Sequence, residues 1–177
     1  IQIARAFDVK VMTTSSTRQR ADFCTSLGAN LALVRSDENF VQVVKESTAG
    51  RGVDVVVDCI GGSTVNDNLQ ALRIGGRYVF MASDMGSGNV DFQKIIDKRL
   101  TITGSSLRSR EPSFRSALVA TVYEKVWPLL ESKAVAPTIQ QVFPMSDAAK
   151  AVKLIEQGVV MGKVVCTVGS EMLRADP

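Results

Sequence analysis

Positions 13 to 20 read Thr13-Thr14-Ser15-Ser16-Thr17-Arg18-Gln19-Arg20, a run of hydroxyls followed by two guanidiniums. Hydroxyl and guanidinium donors are the groups that hold a phosphate, the arginine fork matching its oxygens two at a time. A helix opening near Thr17 adds free backbone N–H groups and a favourable dipole. No carboxylate intervenes before Asp22. A plainer reading of the same residues is a Ser-Thr helix cap followed by two solvated arginines, and the segment by itself does not separate the two.

Other chemistries lack their residues. The chain has no histidine and three cysteines, Cys24, Cys59 and Cys166, far apart in sequence. No set has metal-ligand spacing, so no metal site and no histidine base are expected from this chain. An odd, dispersed set of cysteines is not a disulfide framework, which points to a reducing compartment and a cytoplasmic location.

The 177 residues are 45% hydrophobic, enough for one globular domain with a substantial core. Charged residues make up 22% and nearly balance at a net +3. No basic tract and no aromatic platform among lysines or arginines suggests nucleic acid. Apolar runs are too short to cross a membrane. Ile1 is not an initiator methionine, and no signal-peptide layout follows it.

The elements that must position these groups follow from periodicity. Strands are expected at Val9 to Thr14, Leu31 to Val34, Val53 to Asp58, Arg77 to Ala82, Leu100 to Ser106 and Lys163 to Val168. Helices are expected from Thr17 to Leu27, after a cap at Asp37, along Val65, Leu69 and Leu72, from Phe92 to Arg99, from Ser113 to Ser132, and after Ser146-Asp147. Pro128 should kink or divide the longest of these. Val53-Asp-Val-Val-Val-Asp58 is apolar enough for a strand buried on both faces. Strand–helix units at this spacing predict an α/β fold, a Rossmann-type doubly wound parallel sheet.

Such a fold opens on a central strand and a glycine-rich turn before its first helix. Ile1 to Phe7 reads as the end of a helix, and no G-x-G-x-x-G is present. The expectation is therefore a partial, N-terminally truncated nucleotide-binding domain over 1–169, with a loose tail over 170–177. Without its first strand the sheet would leave two unpaired edges at its centre. In this fold an acid ending the second strand holds the 2′-hydroxyl of NAD, and that carboxylate would repel a 2′-phosphate. Here hydroxyls and arginines stand instead, so the dinucleotide fold tips the reading of residues 13–20 toward NADPH.

The chain also resembles a family. Ile1-Gln-Ile-Ala-Arg-Ala6, Val53 to Gly62, Gly75-Gly-Arg-Tyr-Val-Phe80, Lys98 to Arg110, Val126-Trp-Pro-Leu-Leu130, Phe143 to Ala149 and Gly162-Lys-Val-Val165 are similar, in order, to the nucleotide-binding portion of zinc-independent quinone oxidoreductases related to zeta-crystallin, in the medium-chain dehydrogenase/reductase superfamily. The resemblance implies that Ser16, Thr17 and Arg20 bind the 2′-phosphate. It puts Cys59, Ile60 and Gly61 against a ribose, Met81 and Ala82 near the nicotinamide, and Ser106 and Leu107 on the border of that pocket. Arg35 falls where members often carry a Tyr, which suits phosphate charge but loses a stacking ring. Set against these roles, Cys59 reads as a small buried residue, and Met81 as core packing with incidental contact.

The same resemblance implies hydride transfer from NADPH to a quinone or other conjugated carbonyl. The acceptor side of the cleft would belong to an N-terminal barrel-like domain absent from this chain, so no catalytic residue is expected here. It further implies a homodimer through the edge strand Leu100 to Ser106. Two alternatives remain: a non-catalytic module that binds NADPH weakly or not at all, and another doubly wound enzyme such as a methyltransferase. The missing ribose-binding acid and the Leu100 to Arg110 stretch disfavour the last.

Overall fold

The structure, a computed structural model, describes residues 1–81 and 86–168. The expected tail at 170–177 and Ala82 lie outside the described residues. β1 (Met12–Ser15) leads into α2 (Arg18–Ser26) and pairs with β2 (Leu31–Val34). β3 (Val53–Asp58), β4 (Leu72–Phe80) and β5 (Thr101–Gly104) form a three-stranded sheet in that order, and β6 (Ile139–Pro144) pairs with β7 (Lys163–Thr167). The β3–β4, β4–β5 and β6–β7 pairings are parallel. Parallel neighbours need crossovers, and helices α4 (Val65–Ala71), α5 (Phe92–Lys98) and α8 (Ala148–Glu156) supply them. The α/β class with parallel sheets is the one the periodicity predicts. The strands nevertheless fall into three sheets. Among the described residues β3 is hydrogen-bonded only to β4, and its other edge is the one a doubly wound order gives to its first strand.

The chain divides into two compact units. One comprises, among the described residues, 1–13, 19–32 and 124–168. In it α1 (Gln2–Ala6) is tied down through Gln2, whose Nε2 donates to the Ala136 carbonyl at 2.9 Å while its Oε1 accepts from the Ala136 amide at 2.7 Å. β6 belongs to this unit and was not expected as a strand, because Gln140 and Gln141 interrupt any apolar alternation. α8 opens at Ala148 with Asp147 at its cap position, but that carboxylate meets Lys150 at 3.0 Å rather than a backbone amide.

The second unit comprises residues 14–18 and 33–123. Val65, Leu69, Leu72 and Tyr78 form its buried core, with Val56, Phe80, Ile95 and Leu100 packed around them. Val65 and Leu69 share one face of α4 at i, i+4 spacing. Leu72 does not continue that helix; it begins β4. The Lys98 ammonium holds the carbonyls of Leu69, Gln70 and Leu72 at 3.0, 2.7 and 2.7 Å, satisfying oxygens that the helix end leaves free. Gly75 and Gly76 lie within β4 as an irregularity. The register passes from Val53 opposite Leu72 to Val55 opposite Arg77. β3 is buried on one side only: Val55 and Val57, alternating with inward-facing Val56, are 38% and 65% exposed.

α3 (Phe40–Ser47) is capped by Asn39, which accepts from the Gln42 amide at 3.2 Å. The expected Asp37 instead accepts from the Ser36 hydroxyl at 2.7 Å. The long helix divides as Pro128 requires, into α6 (Pro112–Lys125) and α7 (Trp127–Glu131), the proline taking the first turn of the second piece. Among the described residues no helix is long and apolar enough to cross a membrane.

Candidate cofactor-binding site

The described candidate residues of the second unit share one structural property: each lies within three residues after the end of a strand. Ser16 and Thr17 follow β1, Arg35 follows β2, Cys59 to Gly61 follow β3, Met81 follows β4, and Ser106 and Leu107 lie two and three residues beyond β5. Carboxyl ends of strands are where open α/β sheets take ligands. The ladder continues through these junctions. The Arg35 amide donates to the Ser15 carbonyl at 2.9 Å, the Met81 amide to Asp58 at 2.8 Å, and the Ser105 amide to Phe80 at 2.7 Å.

At the β1 and β2 ends, Arg35 is half-buried and its Nε is a buried donor without a hydrogen-bond partner among the described residues. An unmet guanidinium N–H is costly in a folded chain, and an anionic oxygen would satisfy it, so the donor set here fits a phosphate. Glu38 is the residue that sequence reasoning missed: its carboxylate meets Arg18 at 3.1 Å, bringing an acid to a segment that carries none up to Asp22. Its only sign in the sequence is its place three residues after Arg35. Arg20 belongs to the first unit, where its guanidinium donates to the Gly158 carbonyl.

At the β3 end, the turn is built on Asp58. This carboxylate is 4% exposed and accepts from the amides of Ile60 (2.7 Å) and Gly61 (3.2 Å), from Asn68 Nδ2 (3.1 Å) and from the Tyr78 hydroxyl (2.5 Å). Burial pushes its pKa up, but the bonds from Tyr78, Ile60, Gly61 and Asn68 outweigh this and hold it below the ordinary carboxylate value. Tyr78 is pushed above the usual phenol range, by burial first and then by its bond to Asp58. Gly61 has φ 69° and ψ −152°, a conformation open essentially to glycine alone. Cys59 is exposed, not the small buried residue expected, because the turn carries it outward past the end of the sheet.

At the β4 and β5 ends lies a cleft of about 760 Å³, whose walls include Phe80, Met81, Gly104, Ser106, Ser109 and Arg110. Met81 is 55% exposed on it, so the expected core-packing role does not hold. Ser109 donates to Ser106, oxygen to oxygen at 3.1 Å, and the Arg110 guanidinium stands over the Phe114 ring at 4.8 Å. The structure thus brings Met81 and Ser106 together and adds Ser109 and Arg110. Leu107, 54% exposed, does not line the cleft.

Comparison with known proteins agrees with the α/β fold. The model of the zinc-binding dehydrogenase family matches residues 1–124. A quinone oxidoreductase of Rattus norvegicus is 28% identical over 169 residues, 93% of this chain and 49% of its own length. A mycobacterial protein solved with NADPH superposes with a TM-score of 0.75 at 27% identity, over 93% of this chain and 52% of its own. A structure described as an NAD-dependent alcohol dehydrogenase does so with a TM-score of 0.76 at 27% identity, over 95% and 46%. The chain spans about half the length of the curated relatives it matches.

Proposed function

The chain belongs to the zinc-binding dehydrogenase family of the medium-chain dehydrogenase/reductase superfamily, with quinone oxidoreductases among its relatives, and from this we propose that it is the NADPH-binding portion of a reductase acting on a quinone or another conjugated carbonyl. The observation that carries the reading is that every described candidate in the second unit lies just beyond a strand's carboxyl end. When bound, NADPH supplies a hydride. The chain's own residues bind and orient. Ser16, Thr17 and the unmet Arg35 Nε take the 2′-phosphate. The Cys59 to Gly61 turn takes a ribose, and the cleft beside Met81 takes the nicotinamide. Negative charge develops on an acceptor oxygen during reduction, and the Ser106, Ser109 and Arg110 donors stand on that cleft.

The reading includes a zinc-independent reaction, since no histidine is available and the cysteines are dispersed. It includes a cytoplasmic location. It also includes a homodimer, supported by β5, whose four residues are all exposed and which among the described residues pairs only with β4. A second reading, a module with little affinity for NADPH, draws support from Arg18 and Arg20, engaged by Glu38 and by the Gly158 carbonyl.

Titration of the purified protein with NADPH and NADH, followed by protein and nucleotide fluorescence, separates the readings. NADPH should bind about tenfold or more tighter than NADH, one charge-assisted phosphate contact's worth. Equal affinities would overturn the NADPH assignment, and no binding of either would favour the second reading.

A further inference from the structure

We infer that Asp58, Tyr78 and Asn68 form a positioning group that sets the turn at Ile60 and Gly61 so that its backbone offers hydrogen-bond acceptors to the ribose nearest the cleft. This rests on the cofactor reading above.

A buried carboxylate is costly, and a core needs none. Among the described residues Asp58 is buried with no cation among its hydrogen-bond partners, and five bonds converge on its two oxygens: Ile60 and Gly61 amides on Oδ1, and Gly61 again, Asn68 and Tyr78 on Oδ2. Two of the donors belong to the turn itself. Tyr78 is fully buried and Asn68 also reaches its hydroxyl, at 3.1 Å, so the three side chains form a closed network held by the core.

The consequence for the turn follows from peptide planarity. In a trans peptide the N–H and C=O point in opposite directions, and no peptide among the described residues is cis. The Ile60 and Gly61 amides point inward at Asp58, so the carbonyls of Cys59 and Ile60, which share those peptide planes, point away from it. The Gly61 carbonyl is already taken by the Thr64 amide (3.3 Å) and hydroxyl (3.0 Å). The turn therefore presents two acceptors and withholds the Ile60 and Gly61 donors. Such an edge suits the hydroxyls of a sugar and not a phosphate. The Met81 amide bonded to the Asp58 carbonyl places the turn beside the cleft. Tyr78 links the two as well, since its ring lies 4.3 Å from that of Phe80, a cleft residue.

The test uses Tyr78→Phe, which keeps the buried ring and removes one donor, and Asp58→Asn. Each is read by amide hydrogen exchange at Ile60 and Gly61, and by affinity for NADPH and for 2′,5′-ADP, a fragment without the nicotinamide-side ribose. Faster exchange at the two amides is expected, with NADPH weakened about tenfold and 2′,5′-ADP unchanged. Equal weakening of both ligands, or no change in NADPH binding, overturns the inference even where Asp58→Asn folds poorly, because Tyr78→Phe is read alone. If the unaltered protein binds neither ligand, the cofactor reading fails. Amide exchange in Tyr78→Phe then still decides whether the cluster sets the turn: acceleration supports it and no change overturns it.

Discussion

The carboxylate of Glu38 lies 3.1 Å from the guanidinium of Arg18, one residue beyond Ser16 and Thr17. The two side chains are 30% and 58% exposed, so the pair contributes only a few tenths of a kcal/mol to stability. Its effect on a ligand is larger. A 2′-phosphate at this site competes with Glu38 for Arg18 and is repelled by it, whereas a 2′-hydroxyl is indifferent. Glu38→Gln is expected to tighten NADPH about three- to tenfold and leave NADH nearly unchanged, with the gain shrinking as salt is raised. Paired titrations at two ionic strengths check this. An equal response from both nucleotides would place the phosphate away from Glu38.

The Asp58–Tyr78 bond couples stability to pH at both extremes. Asp58 is held below its ordinary value of 3.8, so its contribution is present above that pH and is lost as pH falls through the lower folded value. Tyr78 is raised above its ordinary 10.0, so its contribution is present below that pH and is lost as pH climbs past it. Thermal melting across pH should show both arms. Tyr78→Phe should flatten the alkaline arm, and Asp58→Asn the acid arm. Unaltered arms in the variants would mean other groups control the profile.

These couplings mark the limit of what the sequence discloses. Strand and helix periods alone place Ser16, Arg35, Cys59 and Met81 at or near strand ends, because period-2 and period-3.6 patterns are local. The partners are not local. Asp58 meets Tyr78 across 20 positions, and Lys98 reaches back over 26 to the Leu72 carbonyl. Nothing in the residue types of an Asp ending a valine run, or of a Lys in a basic helix end, says where its bonds will go. Cys59 and Val57 are more exposed than the pattern predicts for the related reason that burial depends on what covers a face, and alternation reports only which face a residue takes. The division of the long helix at Pro128 was legible because proline acts on its own backbone.

The last expectation concerns Arg110. Its guanidinium is held over Phe114 at 4.8 Å and faces the cleft with Ser106 and Ser109. Stacking on the ring restricts the side chain without consuming its N–H donors, so they remain directed at whatever occupies the cleft. If an acceptor sits there, its oxygen gains charge in the transition state and an anionic substituent on it would gain a partner outright. Arg110→Ala in the complete enzyme should raise the acceptor KM about tenfold with NADPH affinity unchanged, the cost of one charge-assisted hydrogen bond. Phe114→Leu, which frees the guanidinium without removing it, should produce a smaller rise of the same kind. Comparing a neutral acceptor with one bearing a carboxylate or sulfonate gives the sharper readout: the anionic acceptor should lose more on Arg110→Ala. A parallel loss of NADPH affinity would move Arg110 to the cofactor, and equal losses for neutral and anionic acceptors would mean that its charge does not meet the acceptor at all.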